Sequence, residues 1–142
     1  MIPAKLQDFL ETLEMVPDRT ERIQFLISLA EGYKPVPPSV AVAPYPEERR
    51  VPGCESEAFV FPVSRPDGTL DFYFGVLNPQ GVSAMALAAI LQDTLSGAPL
   101  DQIAEISDDI VYEIFGRELS MGKSMGLMGM VRMVKDEARK HL

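Results

Sequence analysis

The sequence predicts an α+β sandwich: an N-terminal helical hairpin, a three-stranded antiparallel sheet, and C-terminal helices packed on one face of that sheet. Three observations predict it. Apolar residues recur at helical spacing before residue 32, alternate at strand spacing between residues 58 and 76, and return to helical spacing beyond residue 82.

Leu6, Leu10 and Leu13 stand at i, i+4 and i+7, and Pro17 closes that first helix. Asp18-Arg19-Thr20-Glu21 has the form of a capping box, so a second helix starts there. Ile23, Leu26, Ile27 and Ala30 mark its apolar face, and Gly32 is its expected stop. Pro35, Pro37, Pro38, Pro44 and Pro46 then forbid helix and central strand, which makes 35–46 an extended linker over the surface. A short strand is expected near Glu48 to Val51. Ala58 to Val63 is rich in strand formers, with Pro62 suiting an edge or a bulge. Pro66-Asp67-Gly68 is a turn signal, and Leu70, Phe72, Phe74 and Val76 alternate after it. Pro79 fits a first helical position ahead of a helix from Val82 to Leu95, ended by Ser96-Gly97. Short helices follow at Asp101 to Ile106 and Asp108 to Phe115, and a long one from Lys123 to Lys140.

At 142 residues the chain suits a single domain, 1–142. Its net charge of −8 disfavours binding to phosphate backbones and to anionic membranes. No apolar run reaches the length of a membrane span, and the start has no signal-peptide pattern. The expected compartment is the cytoplasm, where a lone thiol stays reduced.

That thiol is Cys54, the only cysteine. It cannot form an internal disulfide or supply most of a metal ligand set, so no metal site is expected. A buried hydrophobe or a nucleophilic sulfur remains. Pro52 and Gly53 place a bend before it, which favours a thiol presented on a loop. A cysteine hydrolase needs a base, and the only histidine, His141, sits beside the last residue. The chemistry open to a thiol without its own base is attack on an activated sulfur, as in thiol–persulfide exchange. Arg49 and Arg50 would favour the thiolate, while Glu55 and Glu57 would oppose them.

On the last helix Leu127, Met130, Val131, Val134 and Ala138 share one face; Met121, Met125 and Met128 form a second; Gly122, Gly126 and Gly129 form a third. The methionine face is read as core or as a stripe for a partner. The acidic residues Asp101, Glu105, Asp108, Asp109 and Glu113 match no calcium loop and read as a solvated helix face.

Val51-Pro52-Gly53-Cys54-Glu55-Ser56 resembles the Val-x-Gly-Cys-x-Ser signature of the SufE family. The likeness extends along the chain. Arg22 to Leu29 is similar to the family's Arg-aromatic-x-aromatic-Leu-Ile segment, and Ala86 to Leu91 to its central helix, closed by Ser96-Gly97-Ala98-Pro99. Leu119-Ser120, Lys123, Gly126-Leu127 and Met130 resemble its Leu-Ser-Pro-x-Arg-x-Asn-Gly-Leu-x-x-Met motif. Four departures stand out: Pro79-Gln80-Gly81 replaces Ser-Asp-Ala, Ala86 replaces glycine, and Lys123 and Met125 replace arginine and asparagine. Related scaffold proteins of the IscU/NifU type share the fold but carry three cluster-binding cysteines.

The resemblance implies a sulfur acceptor that takes persulfide sulfur on Cys54 from a cysteine desulfurase, stimulates it, and feeds iron–sulfur assembly. It would be an accessory protein with no cofactor of its own, the pyridoxal phosphate (PLP) belonging to a SufS-like partner. An iron–sulfur scaffold complex would be the further partner, and the chain would be a monomer or a homodimer. Gly53 would shape the loop, Ser56 would support it, and Arg50 and Lys123 would serve docking or charge. Two other readings remain at this point: an adaptor using the methionine face without thiol chemistry, and a redox-sensing cysteine.

Overall fold

The computed structural model describes residues 1–54, 56–78 and 81–142. Its elements run α1 (Ala4–Glu14), α2 (Arg19–Glu31), β1 (Ala58–Ser64), β2 (Leu70–Val76), α3 (Val82–Leu95), α4 (Leu100–Ala104), α5 (Ile110–Phe115) and α6 (Met121–Lys140). α1 buries Leu6, Leu10 and Leu13, as their spacing predicts. The Asp18 side chain accepts from the Glu21 amide at 3.0 Å and so starts α2. α2 turns a different face inward from the expected one. Ala30 is buried, Phe25, Leu26 and Leu29 pack against the core, and Ile23 and Ile27 are exposed.

β1 and β2 pair antiparallel from Ala58↔Val76 to Ser64↔Leu70. Asp67 anchors the turn, accepting from the Thr69 amide at 2.9 Å. One face of the hairpin carries Ala58, Val60, Leu70, Phe72, Phe74 and Val76 into the main core. There α3 packs on β2 and α6 on β1, so helices do cover one face.

The sheet has two strands among the described residues, not the expected three. Glu47–Arg49 forms a 3-10 turn after Pro46, and Pro52 lacks the N–H a ladder needs. Only Arg50 and Val51 are left to pair. They make a single bridge, Arg50↔Phe59, and one bond from the Val51 amide to the Ala58 carbonyl at 2.8 Å.

A lone hairpin is marginal in water, and here both faces are covered. The proline-rich linker roofs the second face, where Val36, Val40, Ala41 and Tyr45 pack with Phe59, Phe61 and Tyr73. Tyr45 sits 5.2 Å from the Phe59 ring and 5.1 Å from the Phe61 ring, centroid to centroid. Gly75 makes room for it: a Cβ there would meet Tyr45 Cε2 at 2.7 Å. The free edge of β2 is also closed. The Tyr33 hydroxyl donates to the Phe74 carbonyl at 3.2 Å and accepts from the Val76 amide at 2.8 Å, and the Val36 amide donates to Phe74 at 3.0 Å.

α6 starts earlier than its apolar pattern suggests because the Ser120 hydroxyl accepts from the Lys123 amide at 3.3 Å. Its predicted inner face of Leu127, Met130, Val131, Val134 and Ala138 is buried. Pro79, expected at a first helical position, lies outside the described residues, as do Glu55 and Gln80.

Candidate functional site

Cys54 stands in the loop between the Arg50 bridge and β1. The Val51–Ala58 bond closes the base of this loop. Gly53 has φ 71°, a left-handed conformation that glycine takes without a Cβ clash, and Glu57 has φ 48° on the far side of the thiol. The Glu57 amide returns to the Cys54 carbonyl at 3.4 Å. The Asn78 amide donates to the Ser56 carbonyl at 3.4 Å and the Leu77 amide to the Glu57 carbonyl at 3.3 Å, tying the loop to the segment after β2.

The loop lies on the glycine face of α6. A Cβ at Gly126 would stand 3.1 Å from Cys54 Cα and 3.4 Å from its Cβ and Sγ. One at Gly129 would stand 3.0 Å from Val51 Cγ1 and 3.1 Å from the Pro52 carbonyl oxygen. These two glycines form a trough in the helix surface into which the loop settles. As a result Cys54 is only 9% exposed, a buried thiol rather than the presented one that the bend alone suggests.

A cavity of about 320 Å³ opens beside the thiol. Ser56 and Asn78 form one side, and Gly81, Val82, Ser83 and Ala84 bring the start of α3. Gly122, Lys123, Gly126 and Leu127 bring the start of α6. Gly81 permits the approach, since a Cβ there would meet Ser56 Oγ at 2.8 Å.

Of the residues singled out in the sequence, Cys54, Gly53, Ser56 and Lys123 come together here. Arg50 does not line the cavity and faces Glu47 at 3.7 Å. Arg49 is likewise engaged elsewhere, 3.1 Å from the buried carboxylate of Glu137, which Lys140 also reaches at 3.2 Å. His141 caps the far end of α6, with Nδ1 2.8 Å from the Glu137 carbonyl oxygen. The helical rise from Gly126 places it roughly 20 Å from the thiol, too far to act as its base. Asp108 of the acidic run holds Arg132 at 2.7 Å and Lys135 at 3.2 Å. Partial burial pushes its carboxyl up, but hydrogen bonds and charge from Arg132 and Lys135 outweigh this and hold it below the usual range.

Sequence reasoning missed Asn78, Ser83 and the role of the glycine face. A signal for that role was present, because Gly126 and Gly129 are one helical step apart and cost helix stability. The methionine face divides: Met121 is 77% and Met125 57% exposed, whereas Met128 packs against the core.

The SufE family profile, described as an Fe-S metabolism associated domain, matches residues 7–138. The chain belongs to the SufE family. Its role accordingly falls within iron–sulfur metabolism. The solution structure of a hypothetical protein from Thermus thermophilus is similar in fold, with TM-score 0.74, 24% identity, and 99% of this chain and 98% of that chain covered. No curated protein sequence matches. Among the described residues no helix is long and apolar enough to cross a membrane. Two of the departures from the SufE closing motif fall at the site: Lys123 lines the cavity, and Met125 is exposed on the turn between Gly122 and Gly126.

Proposed function

We propose that Cys54 accepts sulfane sulfur from the persulfide of a PLP-dependent cysteine desulfurase, stimulates that enzyme by unloading it, and passes the sulfur towards iron–sulfur assembly. The observation that carries this reading is the placement of the only cysteine, in its Val-Pro-Gly-Cys-Glu-Ser loop, beside a cavity whose lining among the described residues includes no histidine or carboxylate. Such a thiol suits exchange with an already activated sulfur. The Cys54 thiolate attacks the terminal sulfur of the donor persulfide, that S–S bond breaks, and the donor cysteine leaves as thiolate. The Cys54 proton passes to the donor's active site or to solvent. Sulfur changes hands with no net oxidation.

Gly53 and Glu57 act as the bends about which the thiol turns towards the donor, and Ser56 holds the loop through its carbonyl. Met121 and Met125 alternate along α6 with cavity residues Gly122, Lys123 and Gly126, so a partner delivering sulfur covers them. Arg50, outside the cavity, is left a docking role.

The test is incubation with a cysteine desulfurase and free cysteine, followed by intact mass under non-reducing conditions. A gain of one sulfur atom, lost on reduction and absent in Cys54→Ser, is expected. No gain with several desulfurases would overturn the reading and leave an adaptor binding through Met121 and Met125, an activity that Cys54→Ser would keep.

A further inference from the structure

We propose that the cavity beside Cys54 is an anion seat, holding the loaded sulfur as a persulfide anion against the first-turn amides of α3 and the ammonium of Lys123. This rests on Cys54 as a sulfur acceptor and adds what keeps the accepted sulfur in place. α3 is a helix of 14 residues whose N-cap, Gly81, offers no side-chain hydrogen bond and whose first turn has no acidic residue. The amides of Val82, Ser83 and Ala84 have no acceptor among the described residues, and all three residues line the cavity. Unpaired amides at a helix start carry partial positive charge and bind anions.

The second observation is the thiol itself. Cys54 is nine-tenths buried, lines the same cavity, and its Sγ has no hydrogen-bond partner among the described residues. One added sulfur lengthens it into that space.

Charge points the same way. The chain has 21 acidic and 13 basic residues, yet Lys123 is the one charged side chain among the described residues lining the cavity. α6, which brings Lys123, also has no acidic residue in its first turn. Glu57 is exposed at the edge of the loop, while Arg49 and Arg50 are paired with Glu137 and Glu47. A persulfide S–H is a stronger acid than a thiol, so at neutral pH such a site selects its anion, the proton going to solvent.

The experiment loads Cys54 without a desulfurase. The protein is converted to its mixed disulfide with 5-thio-2-nitrobenzoate and treated with sodium sulfide. Hydrosulfide attacks Cys54 Sγ, the aryl thiolate leaves, and the persulfide remains. Capture by iodoacetamide is then followed by intact mass across pH in wild type, Ser83→Asp and Lys123→Gln. An acidic residue in the first turn favours the helix, so Ser83→Asp keeps α3 folded while placing negative charge in the cavity. The expected result is a capture midpoint moved to higher pH in both variants, with capture below the midpoint slowed about three- to tenfold. Profiles superimposed on wild type overturn the proposal, as does a slower plateau with no midpoint shift, which reports access alone. If Ser83→Asp fails to fold, the exposed Lys123→Gln decides by itself. Because loading is chemical, failure to gain sulfur from a desulfurase counts against the acceptor reading, and unmoved midpoints count against the anion seat.

Discussion

Replacing Gly126 by alanine separates the helix from the loop it carries. The new methyl would stand 3.1 Å from Cys54 Cα, against the 3.5–4.0 Å of an ordinary carbon contact, so the loop must lift by about 0.5 Å. Adding a methylene to a packed site costs about 1–3 kcal/mol. The same change removes a mid-helix glycine and favours α6 by about 1 kcal/mol. The two terms nearly cancel in global stability but act on different states, because the helix gain persists when the loop opens and the clash does not. Labelling of the buried thiol passes through the open loop, so weakening its seat by 1–2 kcal/mol speeds labelling about five- to thirtyfold. The assay is the rate of Cys54 reaction with an aromatic disulfide, beside thermal unfolding of the same sample. Faster labelling with little change in Tm is expected. Unchanged labelling with Tm raised by the full helix gain would refute the seating of the loop on α6.

Two further predictions concern the frame around the site. Tyr33→Phe leaves the Val76 amide and the Phe74 carbonyl at the edge of β2 with one partner fewer each, costing about 1–3 kcal/mol, read as a lower denaturation midpoint with an unchanged slope. Asp108→Asn weakens the clamp on Arg132 and Lys135 by about 1–2 kcal/mol at pH 7, read by chemical denaturation. Its folded carboxyl lies below the unfolded value, so the wild-type advantage is full above the ordinary carboxylate range and disappears as pH falls through the lowered value. An advantage that instead grew on acidification would refute the assignment.

Periodicity made most of the fold legible because most elements bury one stripe against one core. Leu6, Leu10 and Leu13, the alternation from Leu70 to Val76, and Leu127 to Ala138 all point inward as their spacing requires. The third strand failed because strand propensity near Glu48 ignored Pro46 and Pro52, which confine pairing to Arg50 and Val51. The face of α2 failed because a helix with a weakly patterned sequence takes its rotation from its neighbours, here α3. The cysteine at the centre of the proposed site was legible from count alone, since the sequence has only one. Its surroundings were not. Gly126 and Gly129 act by lacking side chains, and no apolar or charge pattern registers an absence. Arg50 adjoins Cys54 in sequence yet turns towards Glu47, whereas Lys123, distant in sequence, lines the cavity.

The loop geometry also bears on how a buried thiol could serve a partner. At its root the Val51–Ala58 bond is short, at 2.8 Å, and Val51 is fully buried. At its tip the bonds are long: 3.4 Å from Glu57 to Cys54, 3.4 Å from Asn78 to Ser56 and 3.3 Å from Leu77 to Glu57, all beyond the usual range for N–H···O. Long bonds to groups near solvent are exchanged for water at small cost, whereas opening the root would expose Val51 and disturb the start of β1. Breaking the long bonds of Cys54, Ser56 and Glu57 therefore costs less than breaking the Val51–Ala58 bond, and it leaves the hairpin and α6 undisturbed. A sulfur carrier working by this division would keep its cargo against the starts of α3 and α6 when alone, and surrender it only to a partner that pulls the tip outward.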